Sequence, residues 1–488
     1  MEINQTLMKT QIILTGWWIL CGICTVATGQ TRADFRQQFE AFQSRTQTQF
    51  YHFRDSVNRE YARYLSQRWE AFDVRSPQPA PEKPEPAEAP RYVPGTDNPP
   101  AALPVDSVIA LPYRTMEAYP SPVAPSEGAA SASLRLEYFG VPVEVSRFDG
   151  FNIRLSSIDE TQVADCWLHL SQAPCHAFVG ELLALKNEMF LNDWALYLLL
   201  SQIADHYFQP SLTNEKTVFV VFMLNQIGYR AKVGRMEKTL VSLIAFPTLL
   251  YGIHYVAFPD GNYYVFGPDR PSMTKTWSYA LNYGPAETYL SLAVTKPFRL
   301  SANTVQKTFI FENKTCTVEY SPNLIDLYRT CPQTELQVYA NSALSGAARR
   351  SLEKALLPRL QGKNAGESVG LLLSFVQSAF AYKNDWAQFG YEKYFFVEES
   401  LHYPYSDCED RAVLFAQLVR CFVGLDVVLL DYADHVSTAV RLNEEVAGDY
   451  VYIDNVRYVV CDPTYIGAPV GRAMKECKNK KARILALN

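Results

Sequence analysis

The 488-residue chain lacks a basic surplus: 45 Lys and Arg stand against 51 Asp and Glu, for a formal net charge of −6. That balance sets aside nucleic acid and anionic membrane surfaces as partners. It also lacks any apolar run long enough to span a bilayer outside Ile12–Ala27. Its seven His and the eight Cys beyond residue 29 show no paired ligand spacing of the kind a zinc site needs, so no metal or cofactor is expected. What is present is 48% hydrophobic residues and only 20% charged ones, the composition of a folded chain. At roughly 100 to 200 residues per domain, two or three globular units are expected.

Lys9 precedes the apolar run, which holds Trp17 and Trp18 and gives way to small residues ending at Gly29. Ala27 and Gly29 then read as the small residues before a secretory cut at Gln30, with an uncleaved membrane anchor as the competing reading. Thr15, Gly16 and Gly22 interrupt the run and favour cleavage. Either way the remainder is expected to be exported, periplasmic or extracellular. Cys21 and Cys24 fall inside this segment, which leaves eight cysteines beyond it. An oxidising compartment would permit Cys316 with Cys331, or Cys166 with Cys175, as local bridges, although spacing alone does not fix pairing.

Residues 30–74 read as an amphipathic helical segment, because Phe35, Phe39, Phe42, Phe50, Phe53, Tyr61, Tyr64, Trp69 and Phe72 fall mainly three, four or eight apart. Balanced charge on its other face favours packing, self-association or a cell-envelope partner over a membrane surface. Residues 75–131 crowd Pro among Ala and Glu and read as a linker. Mixed α/β patterning follows over 132–270. A β-rich segment over 271–335 includes a hairpin turning at Asn313 and Lys314. Helical periodicity returns at Ala347–Leu360 and Ser368–Tyr382, within a last domain spanning 336–488.

The chemistry concentrates after Tyr403. Ser406 and Glu409 have the spacing of a capping box, which predicts a helix starting at Ser406 with Cys408 in its first turn. Unpaired amides and the positive macrodipole end stabilise a thiolate there and can donate to a developing oxyanion. Gly424 ends that helix, Asp426–Asp431 reads as a strand, and His435 heads the run Val436–Leu442. A further hairpin arm ends at Asp462-Pro463-Thr464. Adjacent antiparallel strands would put His435 beside Asp462, whose carboxylate would hold the imidazole to take a proton from Cys408.

With Phe380-Ala381-Tyr382, Cys408-Glu409-Asp410-Arg411-Ala412, Gly424, His435 and Asp462-Pro463-Thr464 in this order, the stretch from Ser368 to Pro469 resembles the transglutaminase-like superfamily. The resemblance implies an α+β, papain-like domain that attacks a carboxamide or peptide carbonyl through a thioester, passing the acyl group to an amine or to water. Cys408, His435 and Asp462 would be its catalytic residues, and a protein or peptide its substrate. The chain departs from the family pattern at Ser406, where Gly is usual, and at Val436 and Ser437, where an aromatic is usual. Gln388 and Tyr403 are candidates for a second oxyanion donor.

A possible internal repeat pairs Asn214–Gly228 with Cys408–Gly424, His254 with His435, and Tyr264-Val265-Phe266-Gly267 with Val459-Val460-Cys461-Asp462. Such a copy would lack the thiol and the carboxylate. Two functions remain open on sequence: an exported thiol enzyme, hydrolytic or transamidating, and a catalytically silent scaffold of the cell envelope.

Overall fold

The structure is a computed structural model and describes residues 41, 53–84, 86–95, 99–110, 132–267 and 274–487. The run read from sequence as a secretory segment and the start of the expected amphipathic segment lie outside these, apart from residue 41. The chain divides into one unit of residues 1–60 and a second of residues 61–488. In the first unit, residues 53–60 are helical. All that follows concerns the second.

Two sheets of the same topology organise it. After the helix Thr213–Ile227 come Ala231–Met236, Thr239–Ala245, Tyr255–Phe258, Gly261–Phe266 and Lys275–Ser278, and they lie side by side in the order third, fourth, second, first, fifth. After the helix Cys408–Phe422 come Val427–Asp431, Val436–Val440, Tyr450–Ile453, Val456–Cys461 and Ala482–Ala486, in that same order. Each helix packs on its sheet through a nearly continuous apolar surface. In Thr213–Ile227 every residue from Thr217 to Ile227 is buried. In Cys408–Phe422 the first twelve residues are buried.

Both sheets are completed from upstream. Glu70–Arg75 pairs antiparallel with Lys275–Ser278 and with Tyr255–Phe258, closing a barrel. Val105–Ala110 pairs parallel with Ala482–Ala486, and Ala102 just before it bridges to Tyr450. This corrects two expectations. The amphipathic segment ends its helix at residue 65 and becomes a strand, and the linker of 75–131 contains a sheet strand. The prolines there deny hydrogen-bond donors to a helix but suit an extended chain at a sheet edge.

The expected β-rich segment of 271–335 gives the barrel its strand Lys275–Ser278, forms a separate two-stranded hairpin and holds a helix, Pro322–Thr330, with Pro at its first turn and Leu324, Ile325, Leu327 and Tyr328 buried. Its hairpin, Val305–Phe311 with Lys314–Tyr320, turns at Glu312 and Asn313, both at positive φ, one residue earlier than expected. The hairpin packs on the carboxy-terminal half through Phe309 on Phe380 and Phe311 on Phe375, so a boundary at 335/336 cuts through a packed core. Cys166, Cys175, Cys316 and Cys331 are free thiols, against the two local bridges sequence allowed. The thiols of Cys166 and Cys331 point instead to backbone carbonyls of Arg154 and Leu327. Among the described residues no helix is long and apolar enough to cross a membrane.

Candidate active site

The helix carrying Cys408 begins at Cys408 itself, with Asp407 in extended conformation as its cap residue. The expected capping box at Ser406 is not formed. Tyr405–Ser406 pairs parallel with Ala381–Tyr382, which holds Ser406 extended, and its buried hydroxyl makes no hydrogen bond. The Asp407 carboxylate turns away from the helix to accept the Asp385 N–H at 3.0 Å. Arg411 N–H is bonded to Asp407 O, so the amides of Cys408, Glu409 and Asp410 lie at the open end of the helix. Val413, Leu414, Phe415, Leu418 and Val419 are at most 1% exposed. Burial of each contributes about 1.5–3 kcal/mol and holds the helix rigid beneath the thiol. Gly424, at φ +72, ends it with a bond to Val419 O.

Cys408 Sγ lies 3.1 Å from the backbone N of Val436, the first residue of the second strand of its sheet. The preceding residue, His435, is set by a tight turn in which Tyr432 N–H donates to His435 O. Thr438 is opposite Cys461 in the antiparallel ladder, and the side chains just beyond this pairing meet: His435 Nε2 is 2.9 Å from Asp462 Oδ2. With Nε2 donating to the carboxylate, Nδ1 is the basic nitrogen. Asp462 is itself pinned, its Oδ1 accepting the N–H groups of Thr464 and Tyr465. Gln377 donates to the carbonyls of Asp462 and Ala468 and accepts from Gly467 N–H, fixing the loop.

The thiol has a second partner that sequence reading missed. It donates to Glu409 Oε2 at 3.0 Å, in a site where Cys408 is 1% and His435 6% exposed. Glu409 opens onto a buried group of carboxyls. Oxygens of Asp385, Glu392 and Glu409, and likewise of Asp385, Asp407 and Asp410, lie within 4.8 Å of one another. Burial and then the Glu409 charge push Asp385 up to about 8, and burial, reinforced by Asp385, pushes Asp410 up as well. Carboxyls this close are neutralised by retained protons or by a hard cation, for which an all-oxygen set is suited, unlike the sulfur and nitrogen sets typical of structural zinc. The adjacent acidic residues of Cys408-Glu409-Asp410 were visible in the sequence, but nothing there placed Asp385 against them.

Of the two candidate oxyanion donors, Tyr403 has its hydroxyl 3.3 Å from Arg329 Nε and its ring against Phe395 and Lys393, so it is committed elsewhere. Gln388 ends the short helix Asp385–Gln388, with a buried amide oxygen that makes no hydrogen bond.

The amino-terminal sheet has a matching position. Leu240 N–H donates to Asn214 Oδ1 at 2.7 Å, as Val436 N–H does to Cys408 Sγ. Asn214 thus occupies the thiol position, Thr239 that of His435, and Gly267, after the fourth strand, that of Asp462. The sequence pairing of His254 with His435 is corrected, because His254 precedes the third strand and His435 the second. Comparisons of the chain with protein-family models, with curated proteins and with solved structures return no match.

Proposed function

We propose that the chain is an exported thiol acyl-transfer enzyme of the transglutaminase-like type, with a papain-like carboxy-terminal domain and Cys408, His435 and Asp462 as its catalytic residues. The observation that carries this reading is the placement of Cys408 Sγ at a helix start, 3.1 Å from the amide next to His435, with His435 held 2.9 Å from Asp462. His435 takes the thiol proton and the sulfur attacks an amide carbonyl. A C–S bond forms, the C–N bond breaks, and the leaving amine takes the proton back from the imidazolium. Water or a second amine, deprotonated by His435, then attacks the thioester, giving an acid or a new amide and restoring the thiol. The substrate is a protein or peptide of the cell envelope, and the amino-terminal half is a degenerate copy that braces the active one: Asn, Thr and Gly at its three positions supply no nucleophile, base or orienting carboxylate.

A second reading, a silent envelope scaffold, draws on the burial of Cys408 and on the Glu409 carboxylate that holds its thiol. Turnover of peptide and glutaminyl amides by the full chain separates the two. The enzyme reading expects turnover that vanishes in Cys408→Ala and falls about 10²–10⁴-fold in His435→Ala. Turnover undiminished in Cys408→Ala would overturn it.

A further inference from the structure

The segment taken from composition as a linker runs across the walls of the candidate active site. Gln78 bridges to Tyr251 in the amino-terminal half. Farther on, Pro86 O accepts the Tyr382 hydroxyl at 3.1 Å, beside the short strand pair that leads into Cys408. Pro90 and Tyr92 then exchange backbone bonds with Ile466, in the loop following Asp462, and the Tyr92 ring meets Tyr465 edge-on. Between these anchors Lys83, with a side chain only 5% exposed, donates to Asp431 Oδ1 at 2.7 Å and to Tyr432 O at 2.8 Å. Asp431 and Tyr432 open the turn that sets His435, and the Tyr432 and His435 rings lie nearly parallel.

The charges around Cys408 are mostly negative. Its own helix presents Asp407, Glu409 and Asp410. Asp385 and Glu392 adjoin Glu409, one neighbouring strand ends in Asp431, and another ends at Cys461 just before Asp462. The cations facing this group are Arg411, which donates to Phe380 O and lies over the Tyr382 ring, Lys393, paired with Glu399, and Lys83 and Arg483, which share Asp431, while His435 becomes a cation once it takes the thiol proton. A thiolate formed 3.0 Å from the Glu409 carboxylate is offset by the protonated His435 only while that imidazole is firmly held.

We infer that Lys83 is a positioning residue of the candidate active site, whose ammonium clamps the turn bearing His435 and so holds the imidazole where it takes the Cys408 proton. Burial works against the charge of Lys83, but Asp431 and then Cys408 outweigh it, and the net displacement of its pKa is upward, so the ammonium is kept. Pro81 and Pro84 flank it and stiffen the extended chain that delivers it.

This inference rests on Cys408 being the reactive group of the proposed function, and its test is chosen to fail separately. The far-ultraviolet absorbance of the Cys408 thiolate is titrated in the full chain, with Cys408→Ser as the blank, for wild type, Lys83→Gln and Lys83→Arg. The expected result is a midpoint raised by about one pH unit in Lys83→Gln and restored in Lys83→Arg. A midpoint in Lys83→Gln equal to wild type overturns the role, since a purely structural lysine would change thermal stability alone. If Lys83→Gln fails to fold, Lys83→Met, which keeps the apolar stem, is read by the same criterion. A shifted midpoint with a thiol inert to alkylation leaves the Lys83 assignment standing and removes the enzyme reading. An alkylated thiol with an unshifted midpoint does the reverse.

Discussion

Around Cys408 the deciding quantity is charge. Helix-start amides and the His435 imidazole that Lys83 holds in place favour the thiolate, while Glu409 at 3.0 Å opposes it. The carboxyl group behind Glu409 has its own consequence for stability. Asp385 is pushed up to about 8 by burial and by Glu409, so the folded chain holds a proton that the unfolded chain releases near pH ~4. Stability therefore falls as pH rises through this window, because the folded state binds the extra proton until its own value is passed. Asp385→Asn is expected to flatten that fall, read as urea midpoints at several pH values between about 4 and 8. An unchanged slope would mean that Asp385 is already ionised or neutralised by a bound cation.

At the scale of elements, the site depends on where strands end. The ladder that puts Thr438 opposite Cys461 is what lets residues on the two strands' outer ends, His435 and Asp462, meet. The alternating and continuous apolar runs of these strands were legible in the sequence, and so was the Gly424 stop. The capping box was not a reliable guide, because Ser406 is claimed by a two-residue pairing with Ala381–Tyr382 that no local pattern announces. The loop leading into Tyr450–Ile453 supplies a further check. Gly448 sits at φ +151, and a Cβ there would come 2.3 Å from Gly471 Cα, backbone against backbone. Asp449, next to it, accepts from Ala101 N, Ala473 N and Lys478 Nζ. Gly448→Ala is expected to destabilise by more than about 1 kcal/mol, measured by denaturant unfolding. A loss below that would mean the two loops can separate freely.

At the scale of the second unit, residues 61–488, the sequence concealed the strands that complete the two sheets. Glu70–Arg75 and Val105–Ala110 lie among charged and proline-rich residues, and their partners are far along the chain; Lys83 and Asp431, which meet in the same region, are 348 residues apart. Backbone pairing holds such strands, with Phe72, Val74 and Val105 alone among their residues packing on the two cores, and composition does not report it. The repeat was partly legible, through the helix ending at Gly228 and the strand ending before Gly267. Its His254 match failed because a short His-containing run carries no topological address. A chain starting at Ala132 would lose both completing strands and Lys83. It is expected to lose cooperative thermal unfolding, followed by circular dichroism, whereas cooperative unfolding like that of the full chain would show the upstream strands to be dispensable.

The central claim is that Cys408 is made nucleophilic by His435. The most direct measurement is the rate at which iodoacetamide labels each cysteine of the full chain near neutral pH, resolved by peptide mass spectrometry, in wild type and in His435→Ala. The account expects Cys408 to label selectively in wild type and to lose that selectivity in His435→Ala. A Cys408 that stays inert while other thiols react, or one that labels equally fast without His435, would contradict it.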